Sequence, residues 1–449
     1  MSQAPDRDTY PIQDLEELGR RARDVLAAND LGTMVTAAPN LYPHMWSWDA
    51  AFVATGLSTV SVERALRELD YLLAAQWKSG MIPHIVFSDV PGYFPDVERW
   101  GTRGASPEGV QSSGICQPPV HATMLRRIVE RATAAGGEDA RLADEFTRRT
   151  LPGWIDWHAW LRSARGGDGS GLLTIYHGWE SGMDNSPRWD EAYAGIEVEH
   201  ETELRRHDTK LVAHVSERPS DREYQRYLHL VAQMRSVDYD DSRISQIIDF
   251  RVGDVFLTAI LAVAAEELVA VGREVGLEEE VSDQASIAAR ARAAVLASVE
   301  PGSGLCRDWD ARSGSWNTAQ SLASFSVLLC GGDDAVYARQ RDTITGPAWA
   351  GHPRLRFALP PTLSPDDPGF QARTYWRGPI WPVMNWLFWW ALERHGDSEL
   401  AGQWRGQGLA QLADLAYGEY YEPMTGEPLG SHQQSWTAAA ALDWVAAVR

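Results

Sequence analysis

Apolar residues recur at helical spacing along most of the chain. In residues 12–28 (IQDLEELGRRARDVLAA), apolar side chains return every three or four positions, which is the spacing of one face of an α-helix. Breaks that contain glycine or proline, such as Pro301-Gly-Ser-Gly, end these patterns. Similar patterns predict further helices over residues 49–59, 61–77, 117–135, 140–164, 244–274, 278–299, 317–330, 333–344, 379–395, 397–416 and 433–447.

Strand-like alternation of apolar and polar residues is rare, and residues 172–176 are a candidate for it. About a dozen helices with no Pro/Ser-rich linker predict a single all-α domain over residues 1–449. Twelve helices suit six helical hairpins closed into a double ring, an (α/α)6 barrel. The periodicity indicates the all-α class directly, and the closure into a ring is an inference. No repeat of fixed period is found, which disfavours a solenoid.

Residues 195–240 differ from the rest of the chain. This segment is highly charged and holds few aliphatic residues before Tyr227. One interpretation is a solvated insertion. The other is a lid that folds over a pocket, because long insertions in compact domains are often functional.

Charge and cysteine content narrow the class of protein. Lys and Arg total 41 and Asp and Glu total 62, for a formal net charge of −21, which argues against a nucleic-acid partner. Three widely spaced cysteines, Cys116, Cys306 and Cys330, indicate neither a disulfide framework nor a cysteine-rich metal site. The first residues lack the apolar core of a signal peptide, and the apolar stretch 380–392 is too short to span a bilayer. We therefore expect a cytoplasmic protein without a membrane partner.

Tryptophan is unusually frequent, with 20 Trp against 10 Phe. Many of these rings lie beside charged or small polar residues and not within aliphatic runs. Flat apolar rings mixed with hydrogen-bonding groups suit a sugar, which has apolar C–H faces and a rim of hydroxyls. The tryptophans of this kind are Trp46, Trp48, Trp179, Trp189, Trp376, Trp381 and Trp436.

Four polar and aromatic clusters stand out, at residues 41–52, 177–190, 370–382 and 418–430, the last followed by 433–438. Each contains Gly or Pro or both and adjoins a predicted helix, so each is interpreted as a loop. In a helical barrel such loops gather at one end, where they would form a single pocket.

Two of these clusters carry three carboxylates each. Hydrolysis of a glycosidic bond needs a carboxylic acid to protonate the leaving oxygen and a carboxylate that acts as nucleophile or as base for water. Burial against aromatic rings would keep one carboxyl protonated. The alternative for any one of them is a helix cap or an ion pair. The candidates are Glu180, Asp184, Asp190, Glu419, Glu422 and Glu427.

The motifs resemble a known family. Glu180-Ser-Gly-Met-Asp184-Asn-Ser-Pro-Arg-Trp resembles the general-acid loop of inverting (α/α)6 glycosidases, such as trehalases and glycoside hydrolase family 63. The segment from Glu419 to Gly430, followed by Gln-Ser-Trp-Thr-Ala, is similar to the general-base loop of family 63. Tyr375-Trp-Arg-Gly-Pro-Ile-Trp-Pro and Trp46-Ser-Trp-Asp49 also match that family. The resemblance runs from about residue 42 to 440 and is strongest to the bacterial glucosylglycerate and mannosylglycerate hydrolases.

The resemblance implies roles for individual residues. Asp184 would be the general acid and Glu419 the general base that activates water. Arg218 and Tyr224, within the charged segment, would reach the glycerate, whose carboxylate suits the planar donors of an arginine. The residues expected to hold the hexose are Trp46, Trp48 and Asp49. The further residues expected to line the pocket are Tyr42, Tyr93, Gln117, Trp179, Tyr375, Trp376, Trp381 and Gln434.

The expected activity is hydrolysis of 2-O-α-glucosylglycerate or mannosylglycerate to hexose and glycerate, with inversion. The residues do not separate glucose from mannose. Alternatives are another small α-glucoside as substrate, such as glucosylglycerol or a trehalose-like disaccharide, a sugar epimerase on the same barrel, and a non-catalytic sugar-binding protein. No metal-ligand spacing or phosphate-binding loop is found, so we expect no metal and no cofactor. A homo-oligomer is compatible with the sequence.

Overall fold

The computed structural model describes residues 12–167, 169–198 and 200–447, and most of these residues are helical. The remaining residues of the predicted single domain lie outside the described residues. The α-helices are α1 (Ile12–Asn29), α2 (Ser47–Leu57), α3 (Val62–Ala74), α4 (Val97–Trp100), α5 (His121–Ala135), α6 (Gly137–Arg165), α7 (Asp190–Ala194), α8 (Asp208–Leu211), α9 (Asp221–Ser236), α10 (Asp241–Ile247), α11 (Val255–Glu274), α12 (Ser282–Ala297), α13 (Ser326–Cys330), α14 (Asp334–Thr345), α15 (Pro382–Arg394), α16 (Ser398–Gln411) and α17 (Ser435–Ala446).

Short strands and 3-10 helices lie between these helices. The 3-10 segments are Gly178–Ser181, Pro187–Trp189, Val215–Glu217, Leu322–Phe325 and Leu412–Asp414. The strands are β1 (Met45–Trp46), β2 (Ile85–Val86), β3 (Leu173–Ile175), β4 (Val252–Asp254), β5 (Trp309–Asp310), β6 (Ser315–Trp316), β7 (Tyr420–Tyr421) and β8 (Pro428–Leu429). The strand predicted at residues 172–176 is confirmed as β3.

The main helices fall into two classes by burial. All eleven residues of α2 are buried, and so are Ser435 to Val445 of α17, because these helices are covered by protein on every side. Helix α3 instead buries one stripe that includes Val62, Leu66 and Leu69 and exposes charged residues on its other face. The first class forms the core, and the second class covers it.

The buried helices contact one another in a regular order. Helix α2 packs against α5, α5 against α11, and α11 against α13. Helix α13 then packs against α15, α15 against α17, and α17 against α2. Each buried helix also packs against a more exposed partner, as in the pairs α2 with α3, α5 with α6, and α11 with α12.

Helix α11 is the one described helix that is long and apolar enough by composition to cross a membrane. Of its most apolar window, 83% is buried inside the protein. Its apolar surface is therefore covered by neighbouring helices, as expected of a core helix.

The strands hold the loops of the four clusters. Strands β3, β4, β5 and β6 form an antiparallel sheet in which Leu173 pairs with Asp254. Strand β1 pairs with β2, and β7 pairs with β8. A further bridge joins Ile380 to Tyr421, so that the clusters at 370–382 and 418–430 lie side by side.

Two predicted helices are wrong in part. The helix predicted over residues 244–274 is divided into α10, β4 and α11, because the Asp254 side chain accepts the backbone N–H groups of Phe256 and Leu257 and starts a new helix there. The helix predicted over residues 317–330 begins only at Leu322, where the hydroxyl of Ser321 caps it.

The charged segment 195–240 contains a helix that its apolar pattern did not reveal. Helix α9 starts at a capping box in which Ser220 and Glu223 bond each other's backbone. Its buried face, which includes Tyr227 and Leu230, packs within the core cluster. The second half of the segment is therefore anchored, and a purely solvated insertion does not describe it.

Candidate active site

The four clusters meet around one cavity, whose empty space, open solvent included, is about 640 Å³. Three of its walls lie near the N-terminal ends of buried helices: Asp49 is in the first turn of α2, Trp376 shortly precedes α15, and Gln434 occupies the residue position just before α17. The lining residues are Ala37, Tyr42, Trp46, Trp48, Asp49, His84, Ile85, Tyr93, Pro95, Gln117, Trp179, Gly182, Asp184, Arg218, Tyr224, Tyr375, Trp376, Glu419, Gln434 and Trp436.

Asp184 reaches the cavity at the end of a tightly turned loop. Strand β3 leads into a 3-10 turn, in which the backbone N–H of Trp179 donates to Nδ1 of His177. Gly182 follows with a φ of +71°, and a Cβ atom there would stand 2.6 Å from the Trp48 ring. Only glycine permits both this backbone and this close approach, so the loop rests on Trp48 and presents Asp184 to the cavity.

A buried arginine anchors the other end of this loop. Arg188 donates through Nη2 to Asp254 Oδ1 at 2.6 Å and through Nε to Asp308 Oδ2 at 2.8 Å. Asn185 accepts the backbone N–H of Trp376 at 3.0 Å. The acid loop is thereby tied to the sheet, to the start of α11 and to the aromatic cluster at 370–382.

The environment of Asp184 favours its protonated form. Burial raises the pKa of Asp184 from 3.8 to about 7, against the opposing charge of Arg218 and with the help of Glu419. A carboxyl group with this pKa is about half protonated at pH 7 and mostly protonated below it, and the protonated form is the state that a general acid needs.

Glu419 stands at the start of the β7–β8 hairpin. Its hydrogen bonds favour the ionised form, in contrast to the surroundings of Asp184. Its Oε2 atom accepts the backbone N–H of Ser431 at 3.1 Å, and its Oε1 atom accepts the hydroxyl of Tyr42 at 2.8 Å. Burial raises the pKa of Glu419, while Arg218, these hydrogen bonds and Tyr375 oppose that rise. Donors aimed at both oxygens favour a carboxylate, the form of a general base.

The other four carboxylates of the two clusters have structural partners, and none of them is among the described residues that line the cavity. For these four, the interpretation as caps or ion pairs fits the geometry. Glu180 pairs with Arg165 at 2.8 Å, Asp190 with Arg377 at 2.6 Å, Glu422 accepts the N–H of Thr425 at 2.6 Å, and Glu427 pairs with Arg373 at 2.6 Å.

Aromatic rings form the walls between the two carboxyl groups. Trp48 lies 6.3 Å from Trp376, measured between ring centroids. Trp376 is stacked on Trp381 with centroids 3.8 Å apart and planes 7° apart. Trp381 does not line the cavity; it backs Trp376 and donates its indole N–H to the carbonyl oxygen of Tyr375 at 3.1 Å. Asp49 faces the cavity, and burial raises its pKa well above the ordinary value.

The charged segment contributes Arg218 and Tyr224 to the cavity. Arg218 donates through Nη1 to the hydroxyl of Tyr42 at 2.6 Å, and its guanidinium lies 4.2 Å from the centre of the Tyr375 ring. On its outer side, Nε donates to Asp208 at 3.3 Å. The buried Arg218 therefore places a positive charge in the cavity wall.

The structure brings all but one of the predicted site residues into this lining, the exception being Trp381. Sequence reasoning named Trp436 among the tryptophans that suit a sugar but not among the pocket residues, and it missed His84 altogether. Trp436 stands in the quoted Gln-Ser-Trp-Thr-Ala motif, which was the available signal. His84 stands in an apolar stretch with no such signal; burial lowers its pKa, and its ring stacks on Trp179. In the described part of the chain, no group of three or more His, Cys, Asp or Glu side chains could hold a metal ion.

A buried pair of carboxyl groups among aromatic rings, in a mostly helical fold, is the arrangement that a two-carboxylate glycoside hydrolase needs. The sequence profile of the mannosylglycerate hydrolase MGH1-like glycoside hydrolase domain matches residues 42–437. The chain therefore belongs to this family, whose solved relatives are assigned to glycoside hydrolase family 63.

Individual relatives agree with this membership. The chain is 48% identical to the glucosylglycerate hydrolase of Mycolicibacterium hassiacum, over 96% of this chain and 98% of the relative. It is 37% identical to the mannosylglycerate hydrolase MGH2 of Selaginella moellendorffii, over 98% and 87% of the two chains. A crystal structure of the family 63 mannosylglycerate hydrolase of Thermus thermophilus, in complex with Tris and D-glycerate, superposes with a TM-score of 0.87 at 34% identity and covers 95% of this chain and 99% of that chain.

Proposed function

We propose that this protein hydrolyses 2-O-α-glucosylglycerate to glucose and glycerate, and that mannosylglycerate is its second candidate substrate. The observation that carries the proposal is the convergence of Asp184, Glu419 and Arg218 on one aromatic cavity. The 48% identity to a glucosylglycerate hydrolase favours the glucosyl substrate. The more distant mannosylglycerate hydrolases support the mannosyl substrate.

The chemistry follows from the two carboxyl groups. Asp184 donates its proton to the glycosidic oxygen as the bond to the anomeric carbon breaks. Glu419 removes a proton from a water molecule that attacks the opposite face, so the α-glycoside yields the β-sugar. The two carboxyl groups of an inverting enzyme stand roughly 6.5–9.5 Å apart to admit that water.

The binding roles divide the cavity. Trp46, Trp48 and Asp49 hold the hexose, and Arg218 and Tyr224 bind the glycerate. Support comes from the position of all five side chains in the lining. Support for the glycerate end comes from charge, because Arg218 is a buried cation and the substrate carries a carboxylate.

We further propose that the helices form a single (α/α)6 barrel, with residues 195–240 as a lid. The order of contacts among α2, α5, α11, α13, α15 and α17 supports a closed inner ring, with the more exposed helices outside it. The position of Arg218 and Tyr224 in the cavity wall supports the lid, because both come from this segment.

The test is incubation with glucosylglycerate, mannosylglycerate, glucosylglycerol and trehalose, with released hexose as the measurement and Asp184→Asn as the blank. We expect the fastest release from glucosylglycerate. Release from neither glycerate glycoside would overturn the proposal. An epimerase would isomerise free sugar and leave glycosides intact. Epimerases of this barrel type use histidine pairs, whereas His84 is the one histidine among the described lining residues, which argues against this alternative.

A further inference from the structure

The base and the cation of the cavity share one hydrogen-bonded network. The hydroxyl of Tyr42 donates to Glu419 Oε1 at 2.8 Å and accepts from Arg218 Nη1 at 2.6 Å. Arg218 Nη1 also lies 3.9 Å from Glu419 Oε2. The hydroxyl of Tyr375 stands 3.2 Å from that of Tyr42. In this arrangement the positive charge that faces the substrate carboxylate is at the same time a counter-ion of the base.

We propose that Arg218, held against Glu419 through Tyr42, couples the charge of the substrate's leaving group to the protonation of the catalytic pair. The inference rests on the proposed function for the roles of Asp184 and Glu419. When the glycerate carboxylate binds Arg218, it competes with Glu419 for the same cation. An anionic substrate thus releases the base from its counter-ion, whereas a neutral substrate leaves the ion pair in place.

The direction of the effect follows from electrostatics. Arg218 lowers the pKa of both Glu419 and Asp184, because a nearby positive charge favours the carboxylate form. A bound carboxylate offsets that charge, so both pKa values rise. Glu419 becomes a stronger base, and Asp184 stays protonated to higher pH. Both changes favour the reaction at neutral pH, and both depend on a charged leaving group.

Other titratable groups surround the pair and set the background against which Arg218 acts. Two carboxyl groups, Asp49 and Asp184, share the cavity with Glu419, and Asp208 lies on the outer side of Arg218. The remaining groups are His84, whose pKa burial lowers well below its ordinary value, and buried tyrosine hydroxyls, whose pKa values burial raises. These hydroxyls belong to Tyr42, Tyr93, Tyr224, Tyr375 and Tyr420. These hydroxyls stay protonated across the working range. Arg218 is therefore the one cation that the described residues place beside the catalytic pair.

The expected size of the pKa shift follows from the distance between the charges. An opposite charge within about 4–6 Å shifts the pKa of a carboxyl group by about 1–3 units. Asp208 already compensates part of the charge of Arg218, so we expect a shift of about 1 unit, the lower end of that range.

The first experiment compares pH profiles of kcat for glucosylglycerate and for neutral glucosylglycerol. In the natural protein, both limbs of the bell should lie about 1 pH unit higher for the glycerate substrate. In Arg218→Met, the limbs of kcat/KM for glucosylglycerol should move up by a similar amount, because the cation is gone from the free enzyme. Arg218→Lys should bring the limbs of the pH profile part of the way back to their position in the natural protein. Tyr42→Phe keeps the ring but removes the hydroxyl that links Arg218 to Glu419. In this variant the pH offset between the limbs for the two substrates should become smaller.

If the limbs of the kcat–pH profiles coincided for the two substrates in the natural protein, the coupling would be overturned and the hydrolase assignment would stand. An Arg218→Met profile that is unmoved for glucosylglycerol would also overturn it. Hydrolysis of neither substrate would instead overturn the proposed function, and the coupling with it. Even if Arg218→Met did not fold, the comparison of two substrates on the natural protein decides the question.

A second measurement needs no turnover. Calorimetric titration with glycerate at pH 7, in two buffers of different ionisation enthalpy, reports the protons taken up on binding. With the Asp184 pKa at about 7 in the free protein, a rise of about 1 unit corresponds to uptake of roughly 0.4 proton. Asp184→Asn should abolish most of this uptake and keep glycerate binding. Binding of glycerate without proton uptake by the natural protein would overturn the coupling.

Discussion

The position of Glu419 can be tested without changing the carboxylate, through Gly430. Gly430 has a φ of +68°, and a Cβ atom at this position would stand 2.4 Å from Glu419 Oε2 and 2.6 Å from the Tyr420 ring. Real Cβ atoms keep at least 3.0 Å from such neighbours. In Gly430→Ala the carboxylate must therefore retreat by at least about 0.6 Å, or the hairpin must open.

Two effects of different size follow. The left-handed backbone costs an alanine roughly 1–2 kcal/mol relative to glycine, which lowers stability. Displacement of Glu419 by this distance weakens the hydrogen bond from the Ser431 N–H and moves the proposed base away from the position of the attacking water. Misplacement of a reacting group by about 1 Å can cost about a hundredfold in rate, so we expect kcat to fall by about ten- to a hundredfold. Arg218 and Tyr224 are not altered, so KM should change little.

The matched control is Gly276→Ala. Gly276 has a φ of +67°, and nothing lies within 4 Å of the place that a Cβ atom would take there, so this variant carries the backbone cost without the clash. Steady-state hydrolysis of glucosylglycerate and urea unfolding should be measured for both variants. We expect a loss in the free energy of unfolding in both variants, the larger one in Gly430→Ala because of its clash, and a large kcat loss only in Gly430→Ala. If Gly430→Ala kept the natural kcat, Glu419 would not be the base, or its position would not matter to the reaction.

Four further outcomes are expected. Asp184→Asn and Glu419→Gln should each lose at least about a hundredfold in kcat and still bind substrate; near-normal turnover of either variant would refute that residue's role. Proton NMR of the reaction should show the β-anomer of the sugar first, and initial α-anomer would mean retention. Because Asp184 must be protonated in its proposed role as the general acid and has a pKa of about 7, kcat/KM should fall about tenfold per pH unit well above pH 7; a flat profile to pH 9 would contradict this. Arg188→Met leaves the buried Asp254 and Asp308 unpaired and should cost about 3–5 kcal/mol in urea unfolding, whereas a loss below about 1 kcal/mol would show that the ion cluster is dispensable.

Local pattern explains why the helices were predictable. The spacing of apolar residues that defines α3 or α12 depends only on residues close in the chain, and the observed helices follow it. The pattern failed where a single side chain changes the backbone path, as at Asp254, whose cap starts α11. It also failed in α9, whose many charged residues hide the buried positions of Tyr227 and Leu230.

The candidate site was predictable as a set of loops but not as a set of roles from the residues alone. The acid-loop motif offers both Glu180 and Asp184, and nothing in local sequence distinguishes two carboxylates four residues apart. The distinction comes from Arg165, which pairs with Glu180 and lies fifteen positions earlier. Asp184 has no such partner among the described residues and faces the cavity.

The sequence by itself determined the helical class, the four polar and aromatic loops and the short set of carboxylates from which a glycosidase could be built. These properties depend on composition and on neighbours along the chain. The tertiary structure decided which carboxylates face the cavity, that Trp381 backs Trp376, and that Arg218 reaches Glu419 through Tyr42. Such relations join residues up to hundreds of positions apart, and burial and ion pairing at these distances arise only when the chain is folded.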